Sequence, residues 1–353
     1  MKKPQIKREA SKTGAGNPHT TTITNIISAL AIGLCAKLYW DHQILNTELS
    51  FLRQSLNVTP HAHKDVLFFN RVPKVGSQTV MGLLKTLSID NNFAHYVDDA
   101  QIKQLAGEKT ILPIQDQHNY ARMFMENFTE PSVYNKHISF IDFETLGSEY
   151  YRPIYMNFVR EPVQRVISWY YYIRAPWYQF ESDDKGNYKR MKPMFAGKAF
   201  PLKLSYDECV LGQYQECRYI PGHNHVAYRE GGAHVSQMMF FCGHEPRCQI
   251  TNGEEALRIA KANVDSHFAV VGILEEMDKS MTVLEHFLPR FFKGVKTVYN
   301  KNKQYWGNVN KNKFRPEVSN HVRNLVRQNM TREVEFYEYC KQRLHKQYLS
   351  LGL

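Results

Sequence analysis

The stretch "RVPKVGSQT", residues 71–79, sets one lysine and one glycine between an apolar run and a segment of helical spacing. A loop of this kind opens onto a helix N-terminus, where backbone N–H groups and the helix dipole favour an anion. Lys74 supplies a point charge for a phosphate oxygen, and Gly76 lets the backbone approach closely. Val75 completes the loop, while Ser77, Gln78 and Thr79 add donors. A nucleoside-triphosphate loop requires G-x-x-x-x-G-K-[ST]. Here Lys74 precedes Gly76, with no glycine five residues before it, so that pattern fails. Alone, the loop fits an ordinary strand-to-helix turn capped by Ser77 as well as an anion site. A second grip lies downstream: Arg160 closes an apolar run and Ser168 follows two turns into the next helix. An arginine and a hydroxyl so placed suit a second phosphate, or else a helix-end ion pair and a buried serine. Two phosphate grips without a magnesium-type carboxylate cluster point to a bisphosphate nucleotide.

Three strand–turn–helix units position these groups. "VLFFNRV" (66–72) is a short apolar run suited to a strand buried on both faces, followed by helical spacing over 79–87. "RPIYMNFV" (152–159), the turn "REP" and "VQRVISWYYYIR" (163–174) repeat the design, with Pro162 in the first helical turn. "HFAVVGILEEM" (267–277) leads to a helix over 278–288. Such repetition predicts an α/β fold with a central parallel sheet flanked by helices. In such sheets ligands sit at the carboxyl ends of the strands, where both candidate turns lie.

The chain of 353 residues carries a formal charge of +11, which favours polyanionic partners. Residues 286–316 contain no Asp or Glu but include Arg290, Lys293, Lys296, Lys301, Lys303, Lys311, Lys313 and Arg315. They read as a solvated basic loop or as a lid over an anion. A basic tail (1–22) precedes the apolar run "ITNIISALAIGLCAKLYW" (23–40). The charge asymmetry predicts a signal anchor with its N-terminus cytoplasmic, in preference to a cleaved signal peptide. A stem (41–64) and a luminal body (65–353) would follow. A luminal body makes Asn57, Asn127 and Asn329 N-glycosylation acceptors. It also favours two short-range disulfides, Cys209 with Cys217 and Cys242 with Cys248. Zinc is the competing reading, because His223, His225 and His244 lie near Cys242 and Cys248, although the spacing matches no standard zinc pattern.

Taken together, "NRVPKVGSQT", "HISFIDF" (137–143), "PIYMNFVREPVQR" (153–165), "FFCGHEPRC" (240–248) and "VGILEEMDKSMTVLEHFLPRFFKG" (271–294) resemble the 2-O-sulfotransferase family. The loop and the C-terminal block are most similar to its uronyl 2-sulfotransferase and insect Pipe branch. The resemblance runs in order over roughly 65–345 and extends to the anchor, the luminal placement and both cysteine pairs.

The resemblance implies a Golgi type II membrane enzyme with a P-loop-like sulfotransferase fold. It would move a sulfuryl group from 3′-phosphoadenylyl sulfate to a glycan hydroxyl, the 2-OH of a uronic acid residue in a glycosaminoglycan or glycoprotein glycan. Carried over by position, Lys74 stabilises charge on the leaving phosphate. Val75 to Thr79 cradle the 5′-phosphate, and Arg160 with Ser168 hold the 3′-phosphate. His137 falls at the catalytic base, where a neutral imidazole takes the sugar proton. Arg71 falls at a substrate-facing arginine suited to a uronate carboxylate. The family reading further implies a homotrimer, and neither a metal nor a nucleic-acid partner. Two departures stand out. Asn135 replaces a second histidine of the heparan sulfate branch, and the segment between Cys217 and Phe240 is longer and rich in His and Gly. Rival readings are a magnesium-dependent kinase or nucleotidase, and a glycan-binding protein of the same fold without catalysis.

Overall fold

The computed structural model describes residues 18–63, 65–96, 110–182, 188–191, 203–226, 236–302 and 314–353. Residues 1–17 of the expected tail, 227–235 of the His- and Gly-rich segment, and Lys303, Lys311 and Lys313 of the basic stretch lie outside them. The chain divides into two units, residues 1–51 and 52–353. Helix α1 (Pro18–Ser55) is continuous through the expected anchor and most of the expected stem. Ile26, Leu30, Leu34 and Leu38 on it are exposed. Among the described residues no helix is long and apolar enough to cross a membrane.

The larger unit is built on a five-stranded parallel sheet in the order β2-β3-β1-β4-β7. Strand β1 (Val66–Asn70) is central and buried throughout, as expected of an apolar run covered on both faces. Helix α2 (Ser77–Asp90) leads from it to β2 (Ala94–Tyr96) at the edge. Helix α3 (Ile114–Asn127) then returns to β3 (Ser132–Lys136), which pairs with β1 in the register Asn70↔Lys136. The chain next crosses to the other side of β1 and forms β4 (Ile154–Val159) and α4 (Pro162–Ile173). A two-stranded antiparallel sheet, β5 (Phe180–Ser182) and β6 (Tyr188–Met191), and the short helix α5 (Tyr206–Leu211) follow. Helix α6 (Glu254–His267) runs into β7 (Phe268–Ile273), which pairs with β4. Helices α7 (Met277–Phe287), α8 (Asn320–Gln328) and α9 (Thr331–Leu349) end the chain. The direction of strand addition thus reverses about β1, the place where α/β sheets open a crevice for ligands.

One large core surrounds the sheet. A second cluster joins α4 to α5 and α8 through Val163, Ile167, Tyr170, Tyr206, Val322 and Val326. The disulfide Cys209–Cys217 lies in that second cluster, and Cys242–Cys248 closes a tight loop beside the main core. Those bonds consume the sulfurs that the zinc reading required.

Candidate functional site

The carboxyl ends of β1, β3, β4 and β7 bring the candidate residues to one edge. Buried Asn157 on β4 fixes how the chain leaves β1: its amide donates to the Asn70 carbonyl at 2.6 Å, and its carbonyl accepts from the Val72 N–H at 3.3 Å. The loop then makes two left-handed steps, Lys74 at φ 67° and Gly76 at φ 82°. Gly76, not Ser77, occupies the N-cap position of α2, and Ser77 is the first helical residue. A Cβ on Gly76 would stand 2.6 Å from Leu274 Cδ1, so the backbone angle favours glycine and a side chain there would also push Leu274 aside. The N–H of Thr79 bonds to the Gly76 carbonyl at 3.0 Å. This narrows the backbone cradle to the amides ahead of Thr79, which the first turn of a helix leaves without intrahelical partners. Within that cradle Val75 and Ser77 are buried, and Gln78 is exposed.

Arg160, directly after β4, reaches the same loop and donates from Nη1 to the Lys74 carbonyl at 3.3 Å. Burial, with Arg160 and Arg315 nearby, pulls the Lys74 ammonium from its ordinary value down to about 7. Burial also lowers the Arg160 guanidinium to about 10, against the opposing pull of Glu275 and with Arg315 adding to the fall. Lys74 and Arg160 therefore meet at one helix N-terminus, with the charge of Arg315 bearing on both. The Glu275 carboxylate is 4.0 Å from Arg160 Nε. Ser168 stands half-buried two turns into α4, whose N-cap Glu161 accepts from the Gln164 N–H at 2.8 Å.

His137 follows the last residue of β3, next to the chain leaving β1. Its Nδ1 lies 2.8 Å from the Arg71 carbonyl. A carbonyl only accepts, so Nδ1 carries a proton in this contact and Nε2 is the nitrogen left to act as a base. Arg71 is half-buried, with Nη1 2.9 Å from Met81 Sδ on α2. The structure thus joins Lys74 to Arg160 and His137 to Arg71. Asn135, two residues before His137, has Nδ2 3.4 Å from His95 Nε2 on β2.

Several positioning residues escaped sequence reasoning. Gln237 clasps the Arg160 main chain, its carbonyl accepting from the Arg160 N–H at 3.2 Å and its amide donating to the Arg160 carbonyl at 3.0 Å. The buried carboxylate of Glu333 on α9 accepts in turn from the N–H groups of Gln237 and Met238 and from the Ser236 hydroxyl. Burial raises that carboxyl above the usual range, while the fully buried Arg165 on α4 opposes the rise. Tyr172 lies under the Lys74 ammonium. The tyrosine-rich run "WYYY" was visible in the sequence, but its contact with Lys74 was not.

The basic stretch divides in two. The charge of Arg315 acts on Lys74 and Arg160, whereas the carbonyls of Phe291 and Lys293 bond to Asn91 at the far end of α2. A 14-residue helix separates that end from the loop, a span of about 20 Å. Arg290, Lys293 and Lys296 therefore do not form a lid over the loop. Of the sequon residues, Asn57 accepts from the Thr59 hydroxyl at 2.8 Å, while Asn127 and Asn329 are exposed. Among the described residues Asp142, Glu144 and His267 bring possible metal ligands within 4.8 Å of one another. Arg152 already pairs with Glu144 there at 3.2 Å.

Residues 60–340 match the model of the sulfotransferase family. The chain is 37% identical over 310 residues to a uronyl 2-sulfotransferase homolog of Drosophila melanogaster, covering 86% of this chain and 57% of the relative. It is 31% identical over 286 residues to the human uronyl 2-sulfotransferase, covering 81% and 64% respectively. Identity to the mouse heparan sulfate 2-O-sulfotransferase 1 is 28% over 246 residues, covering 68% and 59%. The chain spans less than two thirds of the length of these curated relatives.

Proposed function

The chain belongs to the sulfotransferase family, and from that premise we propose that it transfers a sulfuryl group from 3′-phosphoadenylyl sulfate to a uronyl 2-hydroxyl of a glycan. The observation that carries this reading is the meeting of Lys74 and Arg160 at one helix N-terminus, beside a histidine whose Nδ1 is held by the Arg71 carbonyl. The donor supplies an activated sulfuryl group on a phosphate leaving group. Its fit rests on the glycine-gated cradle before α2 and on the surplus of buried positive charge there.

The Ser77 and Gln78 amides and the Lys74 ammonium hold the 5′-phosphate and take up charge as it departs. Arg160, with its main chain clamped by Gln237, and Ser168 hold the 3′-phosphate. His137 accepts the sugar hydroxyl proton at Nε2, while its Nδ1–H stays on the Arg71 carbonyl. Arg71 leaves Met81 to pair with the uronate carboxylate, since a thioether is a weak acceptor that a charged group displaces. The proposal extends to a Golgi membrane setting, with the exposed apolar residues of α1 as anchor, the body luminal, Asn57, Asn127 and Asn329 glycosylated, and the assembly a homotrimer. The two disulfides support the luminal placement, since such bonds persist in oxidising compartments.

The test is 35S transfer from labelled phosphoadenylyl sulfate by the purified chain to dermatan, chondroitin, heparan and glycoprotein acceptors. Label in uronyl residues, lost in Lys74→Ala and His137→Ala, is expected. A folded protein that labels no acceptor defeats the reading; one that binds the glycans without labelling them is the non-catalytic relative. Light scattering of the detergent-solubilised chain tests the trimer.

A further inference from the structure

The Lys74 ammonium lies 3.6 Å from the centre of the Tyr172 ring, over its face. The ring is itself held in place. Trp169, one turn earlier on α4, stacks on it with centroids 5.7 Å apart and an interplanar angle of 27°, and Tyr178 leans on it at 4.8 Å. Burial keeps the Tyr172 phenol protonated, against the charge of Arg71, so the face presented to Lys74 is that of a neutral ring. Among the described residues the charged groups that bear on Lys74 are Arg160 after β4 and Arg315 before α8, and both repel it. The nearby carboxylate, Glu275 after β7, is turned to Arg160 and to the Glu161 N–H. The electron-rich ring face is thus the attraction that offsets burial and two guanidiniums.

We propose that Tyr172 is a positioning residue for Lys74: its ring is the seat that keeps the ammonium charged and aligned before an anion arrives at the loop. The anion then draws the lysine off the ring, so the seat holds a competent charge in reserve without filling the phosphate position. The role of that reserve in sulfuryl transfer rests on the donor reading above, whereas the seat does not.

The test uses the whole chain, with no donor present, and reads Lys74 alone. Trace acetylation by acetic anhydride across pH, quantified on the Lys74 peptide by mass spectrometry, follows the neutral amine. The wild type is expected to show a midpoint of about 7. Replacing Tyr172 by phenylalanine retains the ring face and should retain the midpoint. Phenylalanines carrying one, two and three fluorines keep the shape while draining the face, and should lower the midpoint stepwise. The full series should span about one pH unit, equivalent to about a tenfold change in protonation. A flat or rising series overturns the seat. Adding adenosine 3′,5′-bisphosphate then separates the two claims. If it raises the Lys74 midpoint and makes it indifferent to fluorine, lysine has left the ring as proposed. If it changes nothing while the fluorine series holds, the seat stands and the donor reading falls.

Discussion

Replacing Gly76 by alanine tests the geometry of the loop directly. The residue sits at φ 82°, where an L side chain costs about 1–2 kcal/mol. The added methyl would also stand 2.6 Å from Leu274 Cδ1. Leu274 is half-buried and has room to yield, which places the steric part near the low end of overpacking costs, about 1 kcal/mol. Loss of glycine's freedom in the unfolded chain returns about 0.4–1 kcal/mol. The net expectation is a loss of about 2 kcal/mol, which a urea slope of about 2 kcal/mol/M turns into a midpoint lowered by about 1 M. In a Leu274→Ala background the overlap is gone and only the backbone cost remains, so the loss from Gly76→Ala should fall by about half. If Gly76→Ala costs under about 0.5 kcal/mol, or if Leu274→Ala leaves its cost unchanged, the account of this turn is wrong.

Other expectations follow from the same edge. Gln237→Ala frees both main-chain groups of Arg160 and should cost about 1–3 kcal/mol in denaturation, with weaker binding of adenosine 3′,5′-bisphosphate by calorimetry; unchanged affinity would deny the clasp a functional role. Glu333→Ala strips the acceptors from Ser236, Gln237 and Met238 and removes a carboxylate whose charge acts on buried Arg165. A loss of about 3–5 kcal/mol is expected from urea melts, and one below about 1 kcal/mol would contradict the buried pairing. His225 is fully buried, and burial, with Arg165 nearby, lowers its imidazole to about 4. The unfolded chain therefore binds the extra proton first, and stability should drop by about 3 kcal/mol as pH falls from about 6.5 to 4. His225→Phe should flatten that slope, and an unchanged slope would assign the acid lability elsewhere. Because Lys74 sheds its proton near 7, anion affinity should decline above that pH in the wild type and hold in Lys74→Arg.

Three strand–loop–helix units were legible because their strands, β1, β4 and β7, are apolar runs buried along their whole length. The periodicity of the helices after them did the rest, to within a residue or two at α4 and α7. Strands β2 and β3 were not legible. "SVYNK" carries Ser132, Asn135 and Lys136, polar letters that neighbouring strands bury, so tertiary context overrides composition. The phosphate loop and Arg160 were visible as residue types at the ends of apolar runs. Their supports were not, since Gln237 meets Arg160 from 77 residues away and no local pattern encodes that meeting. The basic stretch misled for the same reason. Its lack of acids is a one-dimensional fact, whereas among its described residues Phe291 and Lys293 bond to the far end of α2 and Arg315 acts by its charge on Lys74.

The hold of Glu333 on the Gln237 clasp has a consequence for how the protein is made. Arg160 and the loop emerge from the ribosome long before α9 does, and at ordinary elongation rates Glu333 follows Arg160 by roughly 10–35 s. During that interval the sheet edge has its cations but lacks the carboxylate that orders residues 236–238 and, through Gln237, the Arg160 backbone. A nascent chain stalled before residue 333 should therefore hold β1 and α2 yet retain adenosine 3′,5′-bisphosphate poorly, and release of α9 should restore that retention.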